Sequence, residues 1–294
     1  MKKGQIALLF FLIFSGSQIF AQNYSVEKSS VVYKQVSGDS LEMTIYSPQV
    51  TGNSKLPAIV FFFGGGWVSG NPNHFQMQAE YLATRGIVVI CPDYRTRNRF
   101  GTTPFESVKD AKSAMRYLKI NGSKMRIDTS KIVAAGGSAG GHLAACTAII
   151  KNVNEDTDDL SVSSVPFALV LFNPVVDTGK RGYGQSKMQG HEFKISPIHH
   201  ITSNVPPTLI MHGKADTTVP YENVVRFKHV MKQSGNRCVL KGYKKQTHGF
   251  FNYGSNPKYF KRTLQKTEKF LDEYELLRGE SWLKKYCKEL EHNT

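Results

Sequence analysis

The sequence predicts an α/β protein with a mostly parallel central sheet covered by helices on both faces. Three observations carry that expectation. Residues 57–63, 86–92 and 167–172 are continuous apolar runs, as in strands buried on both faces. Between such runs lie segments with apolar residues at helical spacing. The two kinds of segment alternate along the chain, and neither a repeat nor a second alternating unit interrupts them, so residues 22–294 read as one domain.

The elements follow in order. Residues 41–46, LEMTIY, alternate apolar and polar as a half-exposed strand does, and 57–63 form the first fully covered strand. Residues 74–86 have helical spacing and stop at Gly86. After the strand at 86–92, residues 104–121 place Phe105, Val108, Ala111, Met115 and Leu118 on one helical face. A strand at 131–136 runs into a helix after Ser138. Strands at 167–172 and 208–213, a helix at 221–235, a strand at 238–243 and a helix from about 258 to 277 complete the alternation. Residues 175–207, rich in Gly, Ser, Lys and His, break the rhythm. They read as a lid-like excursion over the carboxyl ends of the strands, where open α/β sheets bind ligands.

The first 21 residues have a different character. A basic start, the apolar run IALLFFLIF and a small-residue exit at Ala21 fit a secretory signal peptide, cleaved after Ala21. The expected location is therefore periplasmic or extracellular. No later segment is apolar for long enough to insert stably in a membrane. Of four cysteines, Cys91 and Cys146 sit in apolar runs as small hydrophobes, while Cys238 and Cys287 are left as an open pair. The formal net charge of +15 stays strongly positive after Lys2 and Lys3 leave with the leader. No basic helix or nucleic-acid module accompanies that charge, so it reads as a solvated surface and not a nucleic-acid site.

Chemistry concentrates at AAGGSAGGHLAA, residues 134–145. Ser138 lies inside G-x-S-x-G at a strand-to-helix junction, where small neighbours let strand and helix approach and the helix N-terminus faces developing negative charge. A serine hydroxyl needs a base that a carboxylate orients. Asp216 follows the strand at 208–213, in a loop closed by Pro220. His248 follows the last strand, beside Gly249. The order Ser, Asp, His, each after its own strand, makes these the nucleophile, orienting acid and base. FFFGGGW supplies bare backbone after an early strand, so Gly65 and Gly66, with the N–H of Ala139, are the expected oxyanion hole. His142 reads as packing, and His212 as a hydrogen-bond support for the loop carrying Asp216. His199 and His200 diverge and share no carboxylate spacing, so no metal site is expected.

The motifs FGGGW (63–67), GGSAG (136–140), HGKAD (212–216) and THGF (247–250) resemble the α/β-hydrolase superfamily. The nearer resemblance is to bacterial hormone-sensitive-lipase-like esterases and carbohydrate esterases, over residues 41–277. It implies an α/β-hydrolase fold, acyl-enzyme chemistry at Ser138, Asp216 and His248, and no cofactor. Two departures stand out: Phe63 occupies the histidine position of H-G-G-G, and little chain precedes the first strand, so no large N-terminal cap is expected. FNPVVDTG and SPIHHI further resemble secreted bacterial enzymes that deacetylate xylan-like polysaccharides. The expected substrate is thus an acylated plant or algal glycan, with Trp67, Tyr183 and Arg97 as candidate substrate contacts. A generic short-chain carboxylesterase or lipase, a feruloyl esterase and a non-catalytic glycan-binding protein on the same fold stay open as alternatives.

Overall fold

The computed structural model describes residues 23–36 and 38–293. The expected leader and its cleavage point lie outside the described residues. One eight-stranded sheet organises the chain. Its strands are β1 (Val26–Val36), β2 (Asp39–Pro48), β3 (Leu56–Phe62), β4 (Val88–Pro92), β5 (Ile127–Gly137), β6 (Ala168–Phe172), β7 (Thr208–Gly213) and β8 (Cys238–Tyr243). Their spatial order is β1-β2-β4-β3-β5-β6-β7-β8. The pairs β1–β2 and β2–β4 are antiparallel, and every other neighbouring pair is parallel.

The helices are α1 (Gln76–Ala83), α2 (Arg97–Phe100), α3 (Pro104–Asn121), α4 (Ala139–Ile149), α5 (Tyr221–Gln233), α6 (Pro257–Asp272) and α7 (Leu283–Asn293). Two apolar clusters, one on each sheet face, form the core. One gathers Val60, Phe62, Leu143, Leu171 and Phe227; the other gathers Phe61, Phe75, Val170, Phe251 and Phe260. Alternate residues of the same buried strands feed opposite clusters, which is why their sequences are apolar without alternation.

Three boundaries differ from expectation. Residues before Leu41 form β1, an edge strand whose charged and mostly exposed residues conceal its periodicity. The last expected helix ends at Asp272, and α7 follows it as a separate helix. Residues 175–207 contain only short 3-10 turns, yet Met188, Ile195 and Ile198 are buried, so the excursion is packed down onto the core.

The parallel strands place their carboxyl ends on one edge of the sheet. The loops after β3, β5, β6, β7 and β8 emerge there together, bringing Gly64–Trp67, Ser138, Asn173, Asp216 and His248 into reach of one another.

Candidate active site

Ser138 occupies the turn between β5 and α4 with φ 56° and ψ −118°, a conformation L-residues rarely adopt. Such strain costs about 1–3 kcal/mol and persists only where surrounding packing imposes it. Two glycines permit that packing. A Cβ on Gly140 would collide with the carbonyl oxygens of Phe62 and Phe63, and one on Gly136 with the Gly140 carbonyl. The Ser138 N–H donates to the Phe172 carbonyl at 2.9 Å, fixing the turn against the neighbouring strand.

The expected triad closes in space. Ser138 Oγ lies 2.9 Å from His248 Nε2, and His248 Nδ1 lies 2.8 Å from Asp216 Oδ2. With Asp216 ionised, His248 carries its proton on Nδ1, which leaves Nε2 free to accept from the serine hydroxyl. Burial works to raise the Asp216 pKa, but bonds from His212, His248 and the Val219 N–H outweigh it and hold the carboxyl well below its ordinary range. Its Oδ1 accepts the N–H groups of Thr218 and Val219, both at 2.9 Å. His212 Nε2 sits 2.9 Å from the Val219 carbonyl and 3.2 Å from Asp216 Oδ2. It supports the acid's loop, as its position in the sequence suggests.

The glycine loop after β3 faces the nucleophile. Gly64, Gly65 and Gly66 line a cavity of about 270 Å³ together with Ser138, Asn173, Tyr183 and His248. Among the described residues, the amides of Gly65 and Gly66 donate to no protein carbonyl. Ala139 is the first residue of α4, so its N–H has no partner within the helix. Two of the expected oxyanion residues, Gly65 and Gly66, thus line the cavity with unengaged amides, and the third, Ala139, directly follows the cavity-lining Ser138.

This geometry is one that could carry serine acyl transfer, and comparison with known proteins finds esterases. A family model described as BD-FAE matches residues 43–178 and 179–231. The chain belongs to the BD-FAE family. Thermogutta terrifontis esterase 2, solved phosphoramylated by tabun, is 39% identical, with a TM-score of 0.81; the match covers 88% of this chain and 98% of that one. The same esterase has been solved propionate-bound, at 38% identity and a TM-score of 0.80, covering 88% of this chain and 97% of that one. An acetylxylan esterase of Xylanibacter ruminicola is 25% identical over 272 residues, covering 86% of this chain and 53% of that protein. A probable isoprenylcysteine alpha-carbonyl methylesterase of Arabidopsis thaliana is 27% identical over 245 residues, covering 75% of this chain and 50% of its own. The chain spans about half the length of these curated relatives. Fold and matches together place it among the α/β-hydrolase esterases.

The remaining site residues of this family member divide. Tyr183, from the excursion, lines the cavity beside Ser138. Arg97 is exposed on α2 and lines an adjoining cavity of about 300 Å³ with Gly66 and Lys187. Trp67 lines the same adjoining cavity, but little of its ring is exposed there. It is 1% exposed, edge-on to His142, with the Lys187 ammonium over its ring. Its bulk follows a tight loop into the core, so packing claims it. His142 is also packing: its Nε2 donates to the Ile195 carbonyl at 2.6 Å, and burial lowers its pKa to about 4. The other two arginines of the RTRNR stretch are structural. Arg95 grips Asp110 with two nitrogens, and Arg99 pairs with Asp93.

All four cysteines are free thiols, so Cys238 and Cys287 form no bridge. Three residues at the site escape the sequence reading, and only one of them has a cue there. Lys187 bonds the Gly66 carbonyl at 3.1 Å from 121 residues away. Asn173, fully buried at φ 29°, lines the cavity with both side-chain amide atoms unpaired. His74 lines the cavity wall beside Asn252. Asn173 alone had a cue, the FNP that ends β6 beside the nucleophile strand.

Proposed function

We propose that this chain is a carboxylic ester hydrolase that removes short acyl groups, acetyl above all, from plant or algal glycans outside the cytoplasm. The observation that carries the chemistry is the continuous Ser138–His248–Asp216 hydrogen-bonded relay at the mouth of a small cavity. In the first half-reaction His248 Nε2 takes the hydroxyl proton as Ser138 Oγ bonds to the ester carbonyl carbon. Negative charge gathers on the carbonyl oxygen, against the amides of Gly65, Gly66 and Ala139. Collapse breaks the bond to the alcohol oxygen, which leaves with the proton from His248. Water then attacks the acyl-serine by the same route, releasing the carboxylic acid and restoring the serine.

The substrate reading rests on several supports. A cavity of about 270 Å³ suits a short acyl group better than a long chain. The similar Thermogutta esterase binds propionate, and the similar Xylanibacter protein is an acetylxylan esterase. The adjoining cavity, reached past Gly66 and carrying Arg97 and Lys187, offers room and polar contacts for the sugar side of the ester, and a uronic acid there would meet two positive charges. Export rests on the leader-like residues 1–21. A generic short-chain carboxylesterase is the second reading, favoured by the same propionate-bound neighbour.

The deciding experiment measures acetate release from acetylated xylan alongside p-nitrophenyl acetate and butyrate, with Ser138→Ala as control. Serine-dependent release from the polymer is expected, with Ser138→Ala at least about 10³-fold slower on every substrate. Activity confined to the small esters would move the assignment to the generic carboxylesterase, and unaffected turnover by Ser138→Ala would overturn the mechanism.

A further inference from the structure

The departure at Phe63 leaves the glycine loop without the histidine that its motif leads one to expect. Phe63 is buried and stacked on Tyr94 at 3.9 Å between ring centroids, so it offers the loop no polar support. A different histidine stands against the same loop. His74, in the 3-10 turn Pro72–Phe75, accepts the Gly64 N–H through Nδ1 at 2.9 Å. Its Nε2 lies 3.0 Å from Asn252 Oδ1, on the loop that follows His248.

We propose that His74, held by Asn252, is the positioning residue of the oxyanion loop, supplying from a following turn the support that position 63 lacks. The proposal rests on the esterase reading above. Its chemistry is directional. An amide N–H can bond Nδ1 only if that nitrogen carries no proton, so the proton sits on Nε2 and donates to Asn252 Oδ1. Two hydrogen bonds thus fix one tautomer and one ring orientation. Burial, partly offset by the Asn252 bond, lowers the His74 pKa and favours this neutral form.

The consequence falls on the neighbouring amides. Binding the Gly64 N–H takes it out of the set of possible oxyanion donors and turns that peptide toward the wall. Gly65 and Gly66, at φ 122° and 64°, then carry the free amides. The space is tight: a Cβ on Gly64 would stand 3.2 Å from His74 Cε1 and 3.5 Å from Ser138 Cβ. Lys187 holds the Gly66 carbonyl, so the glycine loop is fastened at its first and third residues. Asn252 lies four residues after His248, which joins the support of the oxyanion loop to the loop that carries the base.

The test compares three variants. Asn at position 74 places an acceptor oxygen near the Nδ1 position. Gln places its amide near the Nε2 position and leaves Gly64 without an acceptor. Ala removes both. On p-nitrophenyl acetate, His74→Gln and His74→Ala are expected to lose about 10–100-fold in kcat, with KM within about threefold. His74→Asn should recover most of the loss, and all variants should still be labelled stoichiometrically at Ser138 by a fluorophosphonate. Equal kcat for His74→Gln and wild type, or equal losses for His74→Asn and His74→Ala, would overturn the proposal.

A measurement on the unmodified protein guards against variants that fail to fold. With 15N-labelled histidine, NMR should find His74 neutral with its proton on Nε2; a proton on Nδ1 refutes the assignment. A wild-type protein inactive on every ester yet showing the expected tautomer would count against the esterase reading and leave the loop contact standing.

Discussion

The proposed nucleophile, base and acid, Ser138, His248 and Asp216, depend on one another through protonation as much as through distance. Asp216 is served by His248, His212 and two backbone amides, so its carboxylate is stabilised before any substrate arrives. Replacing it with Asn keeps the shape but can leave the wrong nitrogen of His248 protonated. Asp216→Asn is therefore expected to lower kcat by about 10³–10⁴-fold on p-nitrophenyl acetate, with little change in KM. The same residue carries a pH prediction. Its pKa is lower in the folded chain than in the unfolded one, so its contribution is fully present above the ordinary carboxylate value of about 4. That contribution is lost as pH falls toward the depressed value. In urea titrations, the stability gap between wild type and Asp216→Asn should shrink on acidification, and a gap that widens would reverse the sign.

At the scale of elements, the site exists because β5 and α4 meet without side chains between them. Gly136 and Gly140 lie where the Phe62 and Gly140 carbonyls leave no room for a Cβ. Gly140→Ala must push α4 away from β3 or distort the turn at Ser138. A loss of at least about 2 kcal/mol in urea unfolding is expected, in the range of overpacked cores. Activity should fall further than stability alone explains, because the serine's φ of 56° depends on that contact. Unchanged unfolding by Gly140→Ala would mean that the helix has slack the packing does not reveal.

The whole molecule is held as two apolar layers on one sheet, and a buried polar tie secures the layer that contains Phe61, Phe75 and Phe260. Arg85, just after α1, pairs with Glu268 of α6; both are only 3% exposed, and Glu268 also accepts the hydroxyls of Tyr81 and Ser281. Arg85 further bonds the carbonyls of Arg278 and Gly279. Removing Glu268 leaves the buried Arg85 guanidinium with only the half-exposed carboxylate of Asp272, 3.6 Å away, as countercharge. Glu268→Leu is expected to cost about 3–5 kcal/mol in denaturant unfolding, and the double variant with Arg85→Met appreciably less than the sum of the two single changes. The tie lies on the sheet face opposite α4, so kcat per folded molecule should be unchanged.

Much of this was legible before the structure. Buried parallel strands advertise themselves as continuous apolar runs, and parallel topology brings their carboxyl ends to one edge. A Ser, an Asp and a His, each just after a strand, therefore had to meet near that edge. The N-terminal strand β1 escaped notice because its edge position lets it carry SVEKSS, a charged run with no alternating signal. For Trp67 the sequence leaves open how much of the ring is exposed, because an aromatic after a glycine loop looks the same whether it turns outward or in; the structure buries most of it while leaving it in the lining of the adjoining cavity. The sequence by itself determined the fold class, and that Ser138, Asp216 and His248 and the glycine loop come together at one sheet edge, since each follows from local pattern or from strand order. Tertiary structure alone decided which histidine supports that loop, which arginines of the RTRNR stretch are held by carboxylates, and that Lys187 reaches back 121 residues to Gly66. Those choices depend on contacts between segments distant in sequence, where side-chain direction and burial, rather than residue type, select the partner.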